Sequence, residues 1–371
     1  MSRARDMANL GSSASEGNLG GKNLIINGAM TVAQRSTSAS GITSTGYHAL
    51  DRWRWAESSD ATVTISQSTD TPTGQGFKNS LKVDVTTADA SIAAAQYAHI
   101  QHSIEAQNCH SLRYGSSSAK TLTLSFWVKS TKTGTYCIAV QKDDSTRYDY
   151  IAEYTISSAD TWEKKTITIV PDSNIKAAGG VIDNNNGIGL KLKWTLAVGT
   201  DRDGTNNTWN SSTPADATSN QVNFLDNTSN DFYLTGCQLE LGTAATDFEH
   251  LSFHENFSNC QRYFYKIQSA TNYAKFGVGR AWSSDDMACA MYLPTPMRAG
   301  PTLGTSTIGS NFGVAGVGTN VSAITLAERN TTNQFMALNV AYGATSFSTG
   351  TMYQVESDNN TTSFVSFDAE L

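Results

Sequence analysis

Apolar and polar positions alternate with a period of two along most of this chain. In TLTLSFWVKS, Leu122, Leu124, Phe126 and Val128 share one side, and Thr121, Thr123, Ser125 and Lys129 share the other. SLKVDVTT repeats the pattern with Leu81, Val83 and Val85. GIGLKLKWTLAVG sets Ile188, Leu190, Leu192, Trp194 and Leu196 opposite Lys191 and Lys193. TVTIS, TYCIAV, YIAEYTI, KTITIV and FYLTGCQLEL read the same way. Successive side chains of a strand point to opposite faces, so this alternation marks half-buried antiparallel strands. Turn residues separate the runs: Thr133 and Gly134, Asp143 to Ser145, Asn184 to Gly187, Asp203 and Gly204. Roughly eight or more such strands over residues 23–250, with no helical period between them, predict an all-β, antiparallel jelly-roll sandwich.

The period changes at SFHENFSNCQRYF. Ser252 followed by Glu255 matches a capping box, and Phe253, Phe257, Cys260 and Phe264 recur at three- or four-residue spacing. One short amphipathic helix over 251–264 is expected, its apolar stripe packing on its own sandwich or along an oligomer axis. From Tyr265 strand patterns return in YFYKI, ACAMYL, QFMALNVAY, TMYQVES and SFVSFDAEL. Pro294, Pro296 and Pro301 mark an extended connection among them. A second, smaller β-sandwich over 265–371 follows. Residues 1–22 are polar and contain Gly11, Gly17, Gly20 and Gly21, which reads as an arm with no core of its own.

Composition narrows the function classes. Charged residues make up only 16% of the chain, below the ~25% usual for soluble domains, and Ser, Thr, Asn and Gly supply the polar surface instead. A net charge of −7 without any basic run argues against a nucleic-acid surface. No apolar stretch reaches the ~20 residues that a membrane span requires. The N-terminal residues lack the apolar core of a signal peptide, so export by the general secretory route is not expected. The five cysteines, at 109, 137, 237, 260 and 289, include no CxxC pair and read as free, buried thiols.

Sugar recognition needs aromatic faces for stacking, with amides, carboxylates and hydroxyls beside them. Trp194 continues an apolar strand face and reads as core, as do Trp53 and Trp55 in DRWRWAE. Trp127 lies opposite Phe126 among Thr and Lys, which suits exposure. Trp209 sits in TDRDGTNNTWNSSTPADATSN, a long polar segment with no strand pattern, where Asp201, Asp203, Asn206, Asn207 and Asn210 surround one ring. Loops of that length are often functional, so these residues and Trp127 are the glycan-site candidates, against the alternative of a solvated or neighbour-packed loop. Asp201 to Gly204 also resembles the start of a calcium loop, but the later glutamate is missing; a structural calcium stays open and no other cofactor is expected. His99, His102 and Glu105 in YAHIQHSIE lack a further ligand nearby and read as ordinary polar residues. No GxSxG, HExxH, P-loop or strand-linked GxGxxG is present, so no enzyme is expected.

Two blocks carry a family resemblance. NLIINGAMTVAQRS…YHALDRW (23–53) and FYLTGCQLELGTAATDFEHLSFHENFSNCQRYF (232–264) resemble phage tail-fibre and appendage proteins, and they bracket a jelly roll similar to carbohydrate-binding modules. MYLPTPMRAGPT (291–302) and the terminal SFDAEL resemble the C-terminal β-domain of the same proteins. The resemblance implies a homotrimeric virion fibre of a cyanophage or other marine phage. Its arm, with Arg3, Arg5, Asp6 and Leu10, would lock into the tail, baseplate or an adaptor. Phe253, Phe257 and Phe264 would line the trimer interface, and the outer domains would meet host-surface glycans. The competing expectations are a polysaccharide-degrading tailspike, which needs two carboxylates ~5–9.5 Å apart, and a non-adhesive adaptor or decoration protein.

Overall fold

The alternating runs become strands. The structure, a computed structural model, describes residues 22–211, 214–318, 321–327, 332–343 and 346–371. The expected arm, including Arg3, Arg5, Asp6 and Leu10, falls outside them except for Lys22. Contacts divide the chain into two units, residues 1–256 with Leu371, and residues 257–370.

The first unit contains two six-stranded sheets. Sheet one runs β1 (Ser38–Ile42), β3 (Thr62–Ser68), β4 (Ser80–Thr87), β12 (Asp231–Leu241), β6 (Leu122–Ser130) and β9 (Glu163–Ile169). Sheet two runs β11 (Thr208–Asn210), β8 (Tyr148–Ile156), β7 (Gly134–Lys142), β10 (Ile188–Val198), β5 (Tyr97–Glu105) and β2 (Trp53–Glu57). Neighbouring strands pair antiparallel throughout both sheets. The chain crosses repeatedly between sheets, and β12 inserts between β4 and β6 as β10 does between β7 and β5. This is the expected jelly-roll sandwich.

Register explains the core. Trp55, Ile100, Trp194, Ile138 and Ala152 stand in one row across sheet two, each at most 2% exposed. Phe126 of sheet one meets Trp194 edge-on at 5.8 Å, and Trp53 lies 5.3 Å from Trp194. Burying each such large side chain contributes ~1.5–3 kcal/mol, which favours one register because a one-residue slip would turn the whole row to water.

The two blocks of resemblance lie against each other. Leu24 N–H donates to Leu239 O at 2.9 Å, Cys237 N–H to Gly28 O at 3.0 Å, and the Asn23 side chain bonds Cys237 O and Leu239 N–H. A Cβ on Gly28 would sit 2.2 Å from Cys237 O, so only glycine permits this approach.

The second unit is the smaller sandwich. A three-stranded sheet runs β13 (Phe264–Gln268), β21 (Phe364–Asp368) and β16 (Thr302–Thr305). A six-stranded sheet runs β17 (Phe312–Val314), β20 (Met352–Ser357), β14 (Lys275–Ala281), β15 (Asp286–Tyr292), β19 (Phe335–Tyr342) and β18 (Val321–Leu326). Its core joins Phe276, Met287, Cys289, Met336, Leu338 and Phe367.

Helix α1 (Phe253–Gln261) is shorter than expected. Ser252 Oγ accepts from Glu255 N–H at 3.2 Å, as the capping box requires at its first position. Its far end departs from expectation because Phe264 opens β13, paired with Asp368 and 6% exposed. The stripe therefore breaks: Phe253 is 64% exposed and Phe257 half-buried, whereas Phe264 is buried in a strand of the second unit. No described helix is long and apolar enough to cross a membrane.

Candidate ligand-binding face of the first unit

The segment around Trp209 is built differently from the open loop expected. Residues 208–210 form β11 on the edge of sheet two, so a short strand replaces the loop at that point. Trp209 is 2% exposed: its Nε1–H donates to Val170 O at 3.0 Å, and its ring packs on Tyr150 at 5.3 Å and Tyr114 at 6.0 Å. Asn206 Oδ1 accepts from Glu153 N–H, Asn207 adopts φ 54°, and Asn210 bonds Asp149 O, Thr205 and Thr208 O. These amides therefore shape turns around a buried ring, leaving no aromatic face for a sugar there. Asp201 is exposed and Asp203 bridges to Ala217.

The same segment closes part of the outer face of sheet two. Ala215 and Ala217 cover Cys137, Ala139 and Ile151, all fully buried. Asp216, with no side-chain exposure, pairs with Lys193 Nζ at 2.7 Å and Arg202 Nη1 at 2.8 Å. Burial alone would raise its carboxyl pKa, but the adjoining Lys193 charge holds it well below the usual range. His99 faces outward and stacks on Tyr97, whereas His102 faces the core beside Trp53, so the pair cannot share an ion. Among the described residues no three His, Cys, Asp or Glu side chains converge as metal ligands. One cage of backbone oxygens, from Asp144, Thr146 and Gly179, receives the buried Lys142 ammonium. All five cysteines are free and buried.

The outer face of sheet one is more open. Tyr233 on β12 and Lys129 on β6 are register partners, with Lys82 next to Tyr233 on β4. Trp162, just before β9, meets Tyr233 edge-on at 6.1 Å. Lys129 Nζ lies 4.3 Å from the Tyr233 ring centroid and 5.8 Å from that of Trp162, a cation–π arrangement. Asp70 accepts from Trp162 Nε1–H at 2.9 Å and pairs with Lys129. Partial burial works to raise the Asp70 carboxyl, yet the bonds from Lys129 and Trp162 lower it overall. Lys82 pairs with Asp231 at 2.9 Å, while burial and the nearby Asp231 raise Asp84.

Trp127 extends this group. It is half-buried, opposite Thr235, on the face expected from its polar neighbours. Beside it β12 bulges at Gly236 (φ 62°), where a Cβ would meet Phe77 at 2.6 Å and Trp127 at 3.1 Å. Phe77 then contacts Phe248 at 5.0 Å and His250 at 5.2 Å. A band of aromatic rings therefore runs over sheet one, ending at a cavity of about 190 Å³ lined by Phe77, Lys78, Phe248, Glu249, His250 and Asn256, among others. That volume is below the ~300–1,000 Å³ of pockets that enclose a ligand, and of the band Trp127, Trp162 and Tyr233 are half-buried while Phe77 is buried. Asn256 is committed to Asn27 and Thr31, and Glu249 to Asn23 N–H. Lys78 is exposed, and among the described residues it makes no hydrogen bond or ion pair.

The chain matches no protein family and no curated protein. Among solved structures it is similar to an enzymatically active domain of tailspike protein 4 of bacteriophage CBA120, at 12% identity and a TM-score of 0.30 over 60% of this chain. That match covers 22% of the tailspike domain's length. It is also similar to a family 11 carbohydrate-binding module of Clostridium thermocellum in complex with a β-1,3-1,4-mixed-linked tetrasaccharide, at 13% identity and a TM-score of 0.27, over 59% of this chain and 99% of that one. A carbohydrate-binding module in complex with β-1,4-galactotriose matches at 10% identity and a TM-score of 0.25, over 51% of this chain and 88% of that one. These likenesses are low in both identity and superposition, so the functional reading rests on the residues of the face itself.

Of this group, the sequence singled out Trp127 and put Lys129 on the same polar strand face, but it did not single out Trp162, Tyr233 or Asp70. Tyr233 stands on the polar side of FYLTGCQLEL. Trp162 stands outside any alternating run.

Proposed function

We propose that the first unit binds host-surface glycan through the outer face of sheet one, as part of a homotrimeric virion fibre that joins the phage tail, baseplate or an adaptor through residues 1–22. The observation that carries this reading is the co-location of Trp162, Tyr233 and Trp127 with Asp70, Asp231, Lys129 and Lys82 on one solvent-facing sheet. Aromatic rings offer stacking faces for the apolar side of a sugar, and the flanking carboxylates and ammonium groups can bond its hydroxyls. Asp84 and Asp231 are register partners on β4 and β12, where burial and the facing Asp231 raise the Asp84 carboxyl.

Titration of the purified protein with host polysaccharide fragments tests the proposal. Trp162→Ala and Trp127→Ala should each weaken binding about fivefold to tenfold, equivalent to ~1 kcal/mol per lost stacking face. Reducing ends should not accumulate. Wild-type protein that binds no host glycan, or variants that bind as tightly as wild type, would reject the assignment of this face.

A further inference from the structure

The six-stranded sheet of the second unit turns one face to the core, and on the other Val278, Ala288, Ala290, Tyr292 and Met352 are exposed while Ala337 is covered to 7%. Its strand order places β20, β14, β15, β19 and β18 side by side. Along β15, Met287, Cys289 and Met291 are buried, whereas Ala288, Ala290 and Tyr292 are exposed. Register extends the outer rows from strand to strand: Met352, Arg280, Ala288, Asn339 and Thr325 form one, and Gln354, Val278, Ala290 and Ala337 another. The centre is consequently an alanine plateau. Large apolar side chains stand around it: Tyr292 is 80% exposed, Met352 60%, Trp282 58% and Val278 44%. A surface that raises its bulky residues about a flat, small-residue floor is unsuited to water and shaped for close packing against another surface.

We propose that this face is where copies of the chain associate, each burying it against another copy. The inference deepens the fibre reading by naming the surface. Three observations favour a second copy as the occupant. First, the formal charge of the face cancels. Arg280 lies diagonal to Asp286 on the adjoining strand, and Lys275 pairs with Glu356, although the whole chain carries −7. A face without net charge can approach a neighbouring copy without the repulsion that the rest of the molecule imposes. Second, five strands of about seven residues span roughly 450 Å² in plane. The projecting Trp282 and Tyr292 rings, at ~150–250 Å² each, bring the area near the ~800 Å² per partner of a stable interface. Third, the centre of the face, Val278, Ala288 and Ala290, offers no hydrogen-bonding side chain, and Arg280, Asn339, Thr325 and Gln354 lie around it, which suits a protein surface better than a sugar.

Sedimentation across a micromolar concentration series tests this, with thermal unfolding to confirm that each variant is folded. Wild type should sediment as a multiple of 39.8 kDa. Ala290→Glu, placing an unpaired charge on the plateau, should weaken association about a hundredfold and yield monomer. Tyr292→Ser removes only a projecting ring and should weaken it about tenfold. A monomeric wild type, or variants that are folded and assemble like wild type, would overturn the proposal. Glycan titration of the monomeric variant separates the two readings. Retained binding with lost assembly supports both. Lost assembly without any glycan binding, in wild type or variant, refutes only the glycan assignment.

Discussion

Replacing Asp216 with Asn should undo the closure over sheet two. Its carboxylate has no exposure and is shared by Lys193 and Arg202, while Thr195 Oγ donates to Asp216 O at 2.6 Å. Asn keeps the volume and removes the charge. Arg202 is 25% exposed and can be rehydrated, but Lys193 is only 5% exposed and would be left as a buried, unpaired ammonium. Removing one partner of such a pair costs ~3–5 kcal/mol. At ~2–4 °C per kcal/mol for a unit of this size, the melting temperature should fall by roughly 10 °C. Cys137, fully buried beneath Ala215 and Ala217, supplies a local readout, because loosening of the segment should let a thiol reagent label it. In a Lys193→Met background the same Asp216→Asn change should cost far less, since the orphaned charge is gone. The penalty also has a pH signature. The folded carboxyl is depressed below its unfolded value, so its stabilising contribution is present above pH ~3.8 and fades as the pH falls below that value. Wild type and variant should therefore converge in acid. A loss under ~1 kcal/mol with Cys137 still unreactive would refute the argument that this ion pair fastens the segment.

Two further outcomes follow from buried groups in the first unit. Burial pushes the His99 pKa down to about 3, and burial together with the Arg52 charge pushes His102 well below its ordinary value. As the pH falls below ~6.5 the unfolded chain takes up protons that the fold refuses, so stability should decline by ~1.4 kcal/mol per pH unit for each histidine. Urea midpoints at neutral and mildly acid pH measure this, and His99→Gln should make the dependence shallower; equal midpoints for wild type would count against it. Gly28→Ala should destabilise by at least ~2 kcal/mol, because the new Cβ meets the Cys237 carbonyl rather than a side chain that can move. Chemical denaturation showing a loss under ~0.5 kcal/mol would indicate that the backbones part easily there.

The strands were legible because period-two burial is written locally, in each residue and its next-but-one neighbour. TLTLSFWVKS and GIGLKLKWTLAVG needed no distant information to be placed, and their apolar sides became the row around Trp194. The proposed binding face was not legible, because it depends on which strands become neighbours. Trp162 gains a role only when β9 lies beside β6 and β6 beside β12, which brings Tyr233 and Lys129 under it. The Trp209 segment misled for the converse reason. Its polar composition fits a solvated loop, but the ring is claimed by Tyr150 and Tyr114, and the amides close turns around it. The helix overran its end because Phe264 keeps the helical spacing of Phe257 while its backbone is taken by β21.

The sequence blocks that carry the family resemblance and the residues that carry the proposed binding occupy different places under different constraints. Gly28, Asn23 and Cys237 are fixed by backbone approaching backbone, where even one added carbon collides. Trp162, Lys129 and Lys82 are held instead by side-chain contacts on the outer side of sheet one, with no backbone packed against them as at Gly28. Exchanging such residues changes what the face can hold while leaving the seam and the core row around Trp194 intact. A sandwich built this way can keep one fold and alter its ligand, which is why the motif that identifies the resemblance says little about which sugar the face would take.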